Sequence, residues 1–73
     1  MIVIELDRLL KERQMTASEL CRIIGLTEAN LSILRSGKAR AIRFSTLDAL
    51  CNALGCAPGD ILNWKEGVQN DLD

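Results

Sequence analysis

Neither histidine nor tyrosine occurs in the sequence, and Phe44 and Trp64 are its only aromatic residues. Without histidine the commonest general base is missing, so a hydroxyl or thiol such as Ser45 or Cys51 has no evident partner to activate it. No phosphate-cradling glycine loop and no cluster of metal ligands is legible either. The chain is therefore expected not to be an enzyme, with no catalytic residue, no cofactor, no metal and no small-molecule substrate. Long hydrophobic runs are missing as well. Nothing approaches the roughly 18 apolar residues of a membrane span. The leading MIVIELDRLL has no basic start and meets Glu5, Asp7 and Arg8 before a secretory apolar stretch can accumulate. The expected location is cytoplasmic, with no membrane partner. Cysteines number three, Cys21, Cys51 and Cys56, whereas a small domain stapled by disulfides normally shows an even set. With four residues between Cys51 and Cys56 and no histidine to complete a zinc site, the thiols are expected to serve as small buried hydrophobes.

What remains is a chain of 73 residues, 48% hydrophobic, long enough for one domain with a small aliphatic core. Leu6, Leu9, Leu10 and Met15 recur at helical spacing with charged residues between them, which predicts a first helix over about 5–13. Before it, the β-branched residues 2–4 can instead be extended and pair with the stretch 61–64. TASE, residues 16–19, is a capping box that opens a second helix over about 17–24, with Leu20, Ile23, Ile24 and Cys21 on its inner side and Gly25 ending it. Thr27 then caps a third helix over about 28–36, closed by Gly37. A fourth helix is predicted over about 46–54, capped by Ser45, with Leu47, Leu50, Cys51 and Leu54 inward and Ile42 and Phe44 tucking the preceding loop onto it. One more helical turn starts near Pro58, so that Ile61 and Leu62 close the core. Residues 1–66 form the expected domain, and 67–73 an expected polar, disordered tail.

Charge is unevenly distributed along this chain. Nine Lys or Arg face ten Asp or Glu, yet RSGKARAIRF, residues 35–44, holds four cations, and no acid occurs between Glu28 and Asp48. The acids gather instead in the first helix and in the tail.

Two short helices joined by a tight glycine-containing turn make a helix-turn-helix. The stretch MTASELCRIIGLTEANLSILRSGKAR resembles the helix-turn-helix of the Cro and lambda-repressor-like (XRE-type) DNA-binding family, and FSTLDALCNALGCAPGDIL is similar to that family's fourth and fifth helices. The resemblance implies an all-α, compact five-helix fold whose third helix enters the major groove. Two positions depart from the family's pattern: Ala17 and Glu28 stand where glutamine is common. Glu28 either accepts from a cytosine amino group or turns away from the duplex.

Sorting the third helix by face puts Leu31 and Leu34, with Leu26 upstream, against the core. Glu28, Ala29, Asn30, Ser32 and Ile33 remain as base-reading candidates. Ala29 and Ile33 suit thymine methyl groups, and Asn30 or Ser32 suits a polar base edge. Thr16, Ser18, Arg35, Lys38, Arg40 and Arg43 are the candidates for phosphate contacts, which position a protein on DNA without specifying sequence. The expected function is sequence-specific transcription regulation, as a repressor, by a homodimer on double-stranded DNA. The alternative is an antitoxin-like or adaptor module that uses the same fold to bind protein.

Overall fold

The computed structural model describes residues 1–66; the tail expected to be disordered, 67–73, lies outside the described residues. In chain order the elements are β1 (Ile2–Ile4), α1 (Leu6–Glu12), α2 (Ala17–Ile24), α3 (Glu28–Arg35), α4 (Phe44–Leu54), α5 (Pro58–Ile61) and β2 (Leu62–Trp64). The five helices are those anticipated. The all-α expectation needs correcting, because β1 and β2 pair antiparallel in the register Ile2↔Trp64, Val3↔Asn63, Ile4↔Leu62. The β-branched run at the start is too short to continue α1 backwards and finds its backbone partners at the far end of the domain. Lys65 N–H donating to the Met1 carbonyl and Glu5 N–H to the Ile61 carbonyl extend the ladder at both ends.

Local signals set most helix boundaries. Thr16 and Glu19 close the capping box in both directions, the hydroxyl accepting the Glu19 N–H at 3.1 Å and the carboxylate accepting the Thr16 N–H at 2.8 Å. Gly25 ends α2 with a φ of 71°, a left-handed conformation that a side chain would strain. Thr27 Oγ1 accepts the Asn30 N–H and opens α3. That helix stops at Arg35, and Gly37, with a φ of 80°, redirects the chain. The start of α4 differs from expectation. It begins at Phe44 instead of 46, with Arg43 at the cap, so Ser45 lies inside the first turn and caps nothing. The first helical bond runs from Leu47 N–H to the Arg43 carbonyl, and Leu47 packs on the core. Tertiary packing, not a hydroxyl cap, places this boundary.

Leu6, Leu9, Leu20, Leu31, Leu50 and Ile61 are fully buried at the centre, with Leu10, Leu34, Leu54 and Cys21 around them. No aromatic residue is among them. Ile23 was expected inward but is 57% exposed: Ala17, Leu20, Cys21 and Ile24 share the inner face of α2, and the helical repeat carries Ile23 off it. Phe44 was expected to pin the basic loop and is instead 88% exposed, and of that pair Ile42 alone packs on the core. Cys51 and Cys56 are half-buried against the core. Arg13 Nε donates to the Leu54 carbonyl at 2.6 Å, which ties the end of α1 to the end of α4 and satisfies one of that helix's free carbonyls.

Candidate nucleic-acid interface

Burying Leu31 and Leu34 fixes the rotation of α3, and the opposite face presents Glu28, Ala29, Asn30, Ser32 and Ile33 to solvent. Asn30 gives its backbone N–H, not its side chain, to the Thr27 cap. Its amide meets no partner among the described residues and is available to a ligand. Ile33, 49% exposed, stands one turn further along.

The chain after α3 turns back along that face. Asn30 and Ile33 line an open groove of about 580 Å³ together with Lys38, Arg40 and Arg43 from the following loop and the apolar Leu34 and Ile42. Two of the five expected base-reading residues and three of the six expected phosphate contacts thus share one concavity. Glu28, Ala29 and Ser32 lie on the same helix outside it. Thr16 and Ser18 are exposed at the start of α2 and do not line it. Thr46 lines the groove too and was not singled out from the sequence; its position depends on α4 starting early, which no local pattern announces.

Lys38, Arg40 and Arg43 have no acidic partner among the described residues, whereas Arg8 pairs with Glu5 and Glu12, Arg13 with Glu12 and Lys65 with Glu5. Positive charge that no described acid pairs with can attract an anion to this groove. Arg35 departs from this group: its Nε donates to Asp7 Oδ1 at 2.6 Å. The expectation that the acids of the first helix stay apart from the basic segment is corrected here, because α1 passes the end of α3 and delivers Asp7 to Arg35. Nothing in the local sequence signals a contact across 28 residues.

Two carboxylates elsewhere are held below their ordinary range. Glu19 is lowered by the backbone N–H and hydroxyl of Thr16, and Glu5 by the hydrogen-bonded Lys65 ammonium together with Arg8 and Asn63. Burial, with Cys51 alongside, raises the Cys56 thiol, so it ionises less readily than a free cysteine. All three cysteines are free thiols. Among the described residues no three candidate ligands converge on a point where a metal ion could sit, and no helix is long and apolar enough to cross a membrane.

The arrangement can accept a polyanion at Lys38, Arg40 and Arg43 beside the polar and apolar groups that α3 exposes. A family model described as a Cro/C1-type HTH DNA-binding domain matches residues 5–67. The uncharacterised HTH-type transcriptional regulator YozG of Bacillus subtilis is 55% identical over 64 residues, covering 88% of this chain and 76% of that one. A solved structure of a candidate DNA-binding protein from Bacteroides fragilis shares the fold, with a TM-score of 0.76 at 24% identity over 86% of this chain and 100% of its own.

Proposed function

Because the chain belongs to the Cro/C1-type helix-turn-helix DNA-binding family, we propose that it regulates transcription by binding double-stranded DNA sequence-specifically, with α3 in the major groove. Asn30 and Ile33 contact base edges, helped by Ala29 and Ser32, and Glu28 accepts from a cytosine amino group where one is offered. Lys38, Arg40 and Arg43 lie on phosphates, and Thr16 and Ser18 reach the backbone on the other side of the groove. The observation that carries this reading is the shared groove, which Asn30 and Ile33 line together with three cations that have no acidic partner among the described residues. An eight-residue helix reads few bases, so the protein acts as a homodimer on a two-fold-related site. Repression follows from occupancy of such a site alone and needs no further surface.

The test is a fluorescence-anisotropy titration against random-sequence duplex DNA at several salt concentrations, with the Lys38→Ala/Arg43→Ala double variant alongside. Counterion release sets a log-log slope of roughly −0.9 per phosphate contact, so the double variant should flatten the slope by about two units. An unchanged slope removes the two cations from the phosphates. Failure of the folded wild-type protein to bind even at low salt would transfer the groove to a protein partner, as an antitoxin-like or adaptor module.

A further inference from the structure

A second groove, of about 500 Å³, is lined by the whole of β1 together with Leu62, the end of α3 and the loop after it. The β1–β2 ladder shows which edge of β1 is open. Lys65 N–H donates to the Met1 carbonyl and Glu5 N–H to the Ile61 carbonyl, so the odd positions of β1 bond to β2. The backbone groups of Ile2 and Ile4 point the opposite way and have no partner among the described residues. An unpaired edge is a template for one more strand. Ile2 adds to that edge a large apolar side chain, 64% exposed.

Register decides what an added strand brings with it. A two-fold axis pairs β1 with a second copy of itself antiparallel, and using both outward residues sets Ile2 against the partner's Ile4 with Val3 on the axis. Directly opposite residues in an antiparallel pair share one face of the sheet. Ile4 packs on the core, so the partner's Ile2 arrives on that same face, beside the apolar Ala39, Ala41, Ile42 and Leu62 of the groove. The exposed isoleucine and the groove are two halves of one self-complementary contact. Covering Met1 and Ile2 with the strand edge and the groove lining removes on the order of 500 Å² per copy, so about 1,000 Å² in all, the size of a specific but reversible interface. Charge in the lining comes from Arg35 and Arg40, with no acid. Arg35 is held by Asp7, whereas Arg40 lines the DNA groove as well and can turn into it. Repulsion left between the two copies of Arg40 is relieved by salt.

We propose that two copies of this chain pair along β1 into an antiparallel four-stranded sheet, with Ile2 of each seated in the groove of the other. The pairing gives the homodimer of the DNA-binding reading its interface. Its use on DNA rests on that reading; the pairing itself does not. Arg40 and Ile42 line both grooves, so the interface adjoins the DNA-facing surface. Two bodies of 35 × 23 × 23 Å joined side by side have centres 23 to 35 Å apart. That range includes the roughly 34 Å between half-sites one helical turn apart.

The experiment is sedimentation equilibrium of the full chain without DNA, from about 5 μM to 1 mM, with amide hydrogen exchange by NMR at both ends of that range. A monomer–dimer equilibrium with a micromolar midpoint is expected, tightening as salt rises. Ile2→Pro removes one outward N–H and leaves the odd-position ladder alone, and Ile2→Lys brings a charge to the groove; each should weaken the dimer about ten-fold or more. Phe44→Ser, at the other large apolar residue that stands exposed, should leave it unchanged. Exchange at Ile4 should slow as protein concentration rises, while the Lys65 amide, bonded to Met1, stays equally protected and shows that the ribbon is intact. A monomer throughout the range overturns the proposal, as does a dimer indifferent to both Ile2 variants or one that weakens with salt. Loss of the dimer in Phe44→Ser gives the interface to α4, and protection of Ile4 at every concentration means that the edge is covered without a second copy. DNA binding by a protein that stays monomeric supports the DNA reading and overturns the pairing; a dimer that binds no DNA does the reverse.

Discussion

Asn30 and Lys38 line one groove and are expected to fail differently when removed. Lys38 carries charge, so its loss weakens binding to all sequences alike. Asn30 offers a paired donor and acceptor, which discriminates among base edges by about 1–3 kcal/mol. Asn30→Ala or Ile33→Ala should therefore compress the difference between a selected site and random duplex while leaving the salt slope intact, as read by competition anisotropy. Arg35 behaves unlike its neighbours because Asp7 holds it. Both partners are substantially exposed, at 40% and 66% of the side chain, so the pair contributes at most about 1 kcal/mol to stability. Its larger effect is on availability. Arg35→Ala should leave the slope nearly unchanged, whereas Asp7→Asn should steepen it by about 0.9 as the freed guanidinium reaches a phosphate. At this scale the sequence disclosed residue types and their helical faces. It could not disclose the Asp7–Arg35 pair, because a contact of that kind depends on how α1 crosses the end of α3.

Elements whose ends are fixed by neighbours in sequence were the legible ones. The Thr16 box, the Thr27 cap and the turns at Gly25 and Gly37 all use partners within a few residues, and the structure has each in place. The start of α4 was less legible, since it depends on where Leu47 packs, whereas the β-branched run 2–4 and its pairing with the stretch 61–64 were readable although the partner lies some sixty residues away. The Thr16 box also makes α2 sensitive to acid. The Glu19 carboxyl sits below its ordinary 4.5 in the folded state, so the stability it contributes is complete above that value and is lost as pH falls through the lowered folded one. Thermal melts from pH 7 to pH 3 should show Glu19→Gln less stable than wild type at neutral pH and the two curves converging at the acid end. Curves that stay parallel would mean that the box contributes through geometry alone.

Over the whole molecule, leucine spacing gave the core its membership almost entirely, and the exceptions, Ile23 and Phe44, sit where a helix is rotated or begins by packing. A core this small has little redundancy. Leu50 is fully buried between helices, and Leu50→Ala should cost about 2–5 kcal/mol by cavity formation, a large share of what a domain of this size possesses. Denaturant unfolding followed by far-ultraviolet circular dichroism would show the midpoint collapse; a loss under about 1 kcal/mol would mean that the core repacks. The same aliphatic interior leaves the protein optically silent at its centre. Trp64, the one strong chromophore, is 65% exposed at the end of β2 across from Ile2, so an emission-detected melt follows the ribbon and not the helices. Emission and dichroism melts of one sample would separate if the ribbon opens before the helical body, and would coincide if the two ends of the chain let go only when everything does.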